Sequence, residues 1–312
     1  MNPALTRREF NRRLLLLAGA AVLPAPLFAE ARNPSSPITA VDTHAHLFER
    51  RLKFASVHRY LPDYDATLAM YLRLLDAHGI SNGVLIQPSF LGTDNSYLLQ
   101  ALQSQRSRLR GIVVVDPSLE LDQLRALDES GAVGIRLNLI GLPLPELRRP
   151  PWQAFLRRLQ SIDWIVQVQR EARDMPAIVD PLLDAGLRVV IDHFGRPDPA
   201  AGVNDPGFRY LLQRGATGRV WMKLSGAYRN GGNRRGEAIA AAAMPLLRQA
   251  YGLDHLVWGS DWPHTQFEHV TDYSHARALL DRWIPDPVER QVVLRDTPAR
   301  LYRFEPAARA SS

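Results

Sequence analysis

Cysteine is absent from the 312 residues. That excludes disulfides, thiolate zinc sites, iron–sulfur clusters and a cysteine nucleophile. Lysine is nearly absent. Of 38 basic residues only Lys53 and Lys223 are lysines, so Schiff-base chemistry has two candidates. No glycine-rich dinucleotide or phosphate loop follows any apolar run. The longest apolar run near the start, Leu14 to Leu23, falls well short of the roughly 20 residues that cross a bilayer. The net charge of +6 also shrinks on inspection. Up to Ala29 the chain carries four arginines and Glu9, which is +3 of the total. The remainder has no long basic run, so nucleic acid is not an expected partner. What is present, 46% apolar and 22% charged residues, supports a sizeable core and excludes whole-chain disorder.

The first residues read as an address. Thr6-Arg7-Arg8-Glu9-Phe10 precedes the short apolar run, and small residues stand around Ala29 and Ala31. A basic start, a short apolar stretch and a small-residue exit describe a secretory signal, and paired arginines point to the Tat route. The expectation is a Tat signal over residues 1–31, cleaved near 29–31, and a periplasmic or secreted protein over residues 32–312.

Beyond that segment strand-like and helix-like stretches alternate. The β-rich runs are Ile38–Thr43, Gly83–Gln87, Gly111–Val115, Val133–Leu139, Trp164–Gln169, Val189–Asp192, Val220–Leu224 and His255–Gly259. Helical spacing of apolar residues, as in Leu68, Tyr71, Leu72 and Leu75, fills each gap. Eight strand–helix units in one domain predict a (β/α)₈ TIM barrel, with a C-terminal helix ending at Tyr302. A doubly wound open sheet is the alternative. The proline-rich stretch Gly141–Pro151 is expected to cover the barrel mouth.

In such a barrel chemistry sits at the C-terminal strand ends. Strand 1 ends with His44 and His46, two apart and so on one side, placed to share a metal or a proton. Strand 2 ends with Gln87 and Ser89, which suit either substrate contact or loop bonding. Asp94 reads as a helix cap. Strand 4 carries Arg136 among apolar residues, which suits capture of a substrate carboxylate or an internal ion pair. No lysine stands there to bridge two metals. Strand 5 ends with Gln169, and strand 6 with His193 followed by Arg196. Lys223 on strand 7 is read as pairing with a carboxylate inside the barrel, with Tyr228 and Arg229 on the next loop. Strand 8 ends with Asp261, placed as metal ligand or as general base toward water, and His264 follows. His58, His78, His255, His269 and His275 are assigned no chemistry.

DTHAH on strand 1, DHFGRP on strand 6 and WGSDWPH on strand 8 resemble the amidohydrolase superfamily of the amidohydrolase-2 type. QPSFLGTDNSYLL, GIRLN and KLSGAYR are similar, more narrowly, to the branch of 2-pyrone-4,6-dicarboxylate lactonase and 4-sulfomuconolactone hydrolase. The resemblance spans residues 38–304. It implies hydrolysis of a small anionic lactone, with His44, His46, His193 and Asp261 at the catalytic centre. Arg136, Arg196 and Arg229 would grip carboxylates and His264 would make a polar substrate contact. One departure stands out. The pyrone lactonase type carries a second arginine shortly after the strand-4 one, where this chain has Leu139-Ile140-Gly141-Leu142. A lactone with one anionic group, or with a differently placed one, is therefore expected.

Ester hydrolysis needs a deprotonated water, a polarised carbonyl and a proton for the leaving oxygen. Asp261 is the expected base, and the three histidines polarise the carbonyl directly or through one divalent ion such as zinc, held by His44, His46, His193 and Asp261. The resemblance implies either state, because its lactonase branch works without metal and its sulfomuconolactone branch is similar to a zinc enzyme. Two other readings are a metal-dependent decarboxylase of the superfamily, which would place a histidine on strand 5, and a non-catalytic periplasmic binding protein. The partner is a small anion; the sequence leaves homo-oligomerisation open.

Overall fold

The computed structural model describes residues 37–56 and 58–304. The Tat segment lies outside the described residues. Eight parallel strands, β1 (Val41–Ala45), β2 (Asn82–Ile86), β3 (Leu109–Val113), β4 (Ala132–Asn138), β5 (Ile165–Gln169), β6 (Arg188–Ile191), β7 (Val220–Leu224) and β8 (Leu256–Trp258), pair in chain order. Each is followed by a helix, α1 (Leu68–Ala77), α2 (Ser96–Ser104), α3 (Leu121–Glu129), α4 (Pro150–Ser161), α5 (Met175–Asp184), α6 (Pro206–Arg214), α7 (Asn233–Tyr251) and α8 (Tyr273–Trp283). The expected boundaries hold within three residues. The helix starts obey cap chemistry: Thr67, Asp205 and Asp272 accept backbone N–H groups ahead of α1, α6 and α8. Ahead of α2 the cap position is held by Asn95 without a side-chain cap bond, and Asp94, expected as the cap, accepts instead from the Ser96 amide two residues on.

The sheet closes on itself. Ala45 bridges Trp262 in parallel, the His46 amide donates to the Trp262 carbonyl at 2.8 Å, and the Asp261 amide donates to His44 at 2.8 Å. This closure decides against the open doubly wound sheet. Gly259 permits it, because a Cβ there would stand 2.6 Å from the His44 Cβ.

Inside the barrel the sequence stacks two layers. The lower layer is apolar, with Val41, Val84, Ile112, Val133, Ile165, Val190 and Val257, and Leu301 and Tyr302 of the C-terminal helical segment pack against it. The layer above is polar, with His44, Arg136, Gln167, Asp192 and Lys223, all buried. Strict alternation would put Val41 and His44 on opposite faces. Register shifts between Asp42 and Ala45, and beside Gly111 and Ile112, break the alternation on β1 and at the β3–β4 pair. A bulge of this kind re-aims the residues beyond it. Among the described residues no helix is long and apolar enough to cross a membrane.

Candidate active site

The strand ends converge on a cavity of about 240 Å³. Its walls include His46, Ser89, Arg136, Gln169, His193, Arg196, Arg229 and Asp261 from the expected set. His44, Gln87, Tyr228 and His264 stand behind that wall. For Gln87 the loop-bonding reading is realised: its amide donates to the Gly92 and Asp94 carbonyls at 3.2 and 2.7 Å and so holds the β2–α2 loop. The Tyr228 hydroxyl lies 2.6 Å from Asp261 Oδ2 and 3.2 Å from His264 Nδ1.

Asp261 has two unlike oxygens. Oδ2 accepts from Tyr228 and from Arg229 Nε at 2.5 Å. Oδ1 is buried without a hydrogen-bond partner and lies 3.7 Å from His44 Nε2 and 3.9 Å from His46 Nε2. Burial pushes this carboxyl up, but the Arg229 guanidinium beside it, the leading opposing cause, holds the group well below the usual carboxylate range. It is therefore an anion with one free oxygen.

The histidines are kept neutral by burial. It pushes His46 down to about 4, with Arg136 adding to the effect, and His193 down to about 3. His46 Nδ1 lies 2.7 Å from the Ile86 carbonyl, and His193 Nδ1 lies 2.9 Å from Ser225 Oγ. Gly226 closes over them, since a Cβ there would stand 2.8 Å from both His193 Nδ1 and Asp261 Oδ2. His193, Arg196, Asp261 and His264 all hold positive φ. Such backbone costs of order 1 kcal/mol per residue and gathers at functional sites.

Asp192 was given no role by sequence reasoning, yet it is the hub beneath the rim. Its Oδ2 accepts from Arg136 and Gln167 at 3.1 Å each, and its Oδ1 lies 3.3 Å from both His44 Nδ1 and Lys223 Nζ. Lys223 thus has its internal carboxylate as expected. Arg136 commits Nε and Nη2 to Asp192 and Gln169, so the ion-pair reading of this residue is realised beside its place on the cavity wall. The only sequence signal for Asp192 is its position one residue before a strand-end histidine.

The cavity's outer wall is a correction. Gly141–Pro151 supplies none of its lining; Asn138 and Ile140 come just before it. The cover comes from Arg59 and Tyr60 after β1 and from Thr265, Gln266 and Phe267 after β8. Tyr60 bonds Thr265 at 2.8 Å and Tyr64 bonds Glu268 at 2.6 Å, tying the two loops together. Among the described residues no carboxylate lies within ion-pair distance of Arg59 or Arg196, and Arg196 Nε is buried without a partner.

His44, His46 and Asp261 offer ligand atoms within 4.8 Å of one another, and so, as a second set, do His44, Asp192 and His193. The first set has the donors for a divalent cation: two imidazoles and a carboxylate whose Oδ1 is buried without a hydrogen-bond partner. His193 belongs to the second set, which shares His44 with the first.

The amidohydrolase family model matches residues 41–304. The chain belongs to the amidohydrolase family. A 4-sulfomuconolactone hydrolase of Rhizobium radiobacter is 32% identical over 297 residues, covering 87% of this chain and 94% of that one. A 2-pyrone-4,6-dicarboxylate hydrolase of Comamonas testosteroni is 28% identical, covering 86% and 93%. The crystal structure of a probable 2-pyrone-4,6-dicarboxylic acid hydrolase from Acinetobacter baumannii, with citric acid bound, superposes with a TM-score of 0.83 at 39% identity, covering 85% of this amidohydrolase and 99% of that chain.

Proposed function

We propose that this amidohydrolase opens the ring of a small lactone carrying two anionic groups. The observation that carries the reading is the free Oδ1 of Asp261 at the floor of a cavity whose rim holds two arginines without carboxylate partners. Oδ1 takes a proton from water, and the resulting hydroxide adds to the lactone carbonyl carbon. With the Ser225 hydroxyl donating to Nδ1, His193 keeps its proton on Nε2 for the carbonyl oxygen. The tetrahedral adduct expels the ring oxygen, which takes the proton that Asp261 had accepted. Where a divalent ion is bound, His44, His46 and Asp261 would hold it, and it would supply Lewis-acid polarisation and a more acidic water.

Arg59 and Arg196 supply charge for the substrate's anionic groups. Leu139–Leu142 offers no arginine, which leaves a single anion or a differently placed one; Arg59, on the cavity wall from the β1–α1 loop, favours the differently placed one. Relatives named for a sulfonated and a dicarboxylated compound support this choice. Purified protein should open anionic lactones, read as loss of ring absorbance, and Asp261→Asn should slow this by about 10²–10⁴ with the fold retained. No ring opening by wild type across carboxylated and sulfonated lactones would refute the reading. Export by the Tat route is part of the proposal; N-terminal sequencing of the periplasmic form should begin near residues 30–32.

A further inference from the structure

Lys223 is fully buried in the polar layer of the barrel, and its Nζ has three neighbours that can accept. Gln167 Oε1 lies at 2.8 Å, Asp192 Oδ1 at 3.3 Å and His44 Nδ1 at 3.3 Å. Gln167 and His44 are hydrogen-bonded to it, whereas Asp192 Oδ1 takes no hydrogen bond and is an ion-pair contact. Asp192 is already paired with Arg136 at 3.1 Å. Lys223 therefore adds a surplus positive charge next to His44.

The tautomers follow from these contacts. The Ile86 carbonyl only accepts, so His46 carries its proton on Nδ1 and a lone pair on Nε2. That lone pair lies 3.2 Å from His44 Nε2. Two lone pairs at this distance repel, so a proton or a cation must lie between them. Were His44 to donate Nδ1–H to Asp192, both Nε2 atoms would be lone pairs and, with Asp261 Oδ1, a ready cation site. With the Lys223 ammonium donating to Nδ1, the His44 proton sits on Nε2 and is donated to His46.

We propose that Lys223 is a positioning residue that selects the second arrangement, closing the histidine pair with its own proton and holding divalent metal affinity down. Its removal takes the donor away from His44 Nδ1, which can then donate Nδ1–H to the unpartnered Asp192 Oδ1 3.3 Å away, the contact that strengthens imidazole as a metal ligand. The test is direct metal titration of chelator-treated protein, with Co²⁺ read by its visible absorption and Zn²⁺ by competition. Lys223→Met, which keeps the volume and removes the donor, should bind at least tenfold more tightly than wild type. Equal or weaker binding by the folded variant would overturn the proposal. Nitrogen-15 NMR of histidine-labelled, metal-free wild type gives a second readout that needs no variant. The His44 proton should be found on Nε2, and a proton on Nδ1 would overturn the proposal even if Lys223→Met does not fold. Neither measurement depends on which substrate the protein turns over.

Discussion

Arg59 and Asp192 show what single residues contribute. Arg59 bonds only weakly within the protein, to Asn138 Oδ1 at 3.4 Å, so its charge is available to a ligand. Replacing it by Gln removes one charge-assisted bond, a class of contact whose loss costs about 1.5–3 kcal/mol, and at this open rim the lower end applies. The expected result is about a tenfold fall in kcat/KM for a dianionic lactone and little change for a monoanionic one. An equal fall for both would show that Arg59 does not read the second anion. The rim residues at positions 44, 46, 193 and 261 were legible in sequence because each ends an apolar strand. Asp192 and Arg59 were not. Asp192 is recognisable only when His44, Arg136 and Lys223, from three other strands, are seen to share it, and Arg59 stands on an irregular loop without periodicity.

The two loops over the cavity behave as one element because Tyr60 and Thr265 are joined across a sequence separation of 205 residues. Thr265→Val removes that partner and lets the cover loosen. A net hydrogen bond is worth about 0.5–1.5 kcal/mol. KM should therefore rise about two- to tenfold while kcat stays near wild type; a change confined to kcat would contradict a role in closure. At the other end of the barrel Tyr302 is fully buried against the apolar layer. Tyr302→Ala leaves a cavity there and should lower unfolding free energy by about 3 kcal/mol in urea titration. The strand–helix alternation that builds these elements was readable from periodicity. The choice of covering loop was not, because Gly141–Pro151 looks like a cover by composition and only the barrel's curvature determines which loops lean inward.

For the whole molecule, the buried histidines set the response to acid. His46, His193 and His264 have folded values of about 4, 3 and 4 against 6.5 for an exposed histidine, burial being the main cause in each. Between pH 6.5 and 4 the unfolded chain thus binds more protons than the folded one, and stability falls as pH falls. Each histidine contributes a slope approaching about 1.4 kcal/mol per pH unit in that window. Below it the folded histidines take up protons too. Asp192 and Asp261, held below 3.8 by their cationic neighbours against the opposing effect of burial, then lose their contribution as they protonate. Urea midpoints at pH 7.5, 6 and 5 should decline stepwise, and His264→Asn should flatten the decline. A midpoint independent of pH would mean that these imidazoles are solvated.

Sequence alone determined the eight-fold alternation, and with it the barrel and the rim on which His44, His46, His193 and Asp261 stand, because strand periodicity and strand ends are local properties of the chain. Only the tertiary structure decided what those groups are. Asp261 is an anion with one bare oxygen because Arg229 and Tyr228 occupy the other, and His44 sits between Asp192 and Lys223. Charge state and proton position depend on burial and on neighbours from distant strands, and no local pattern records either.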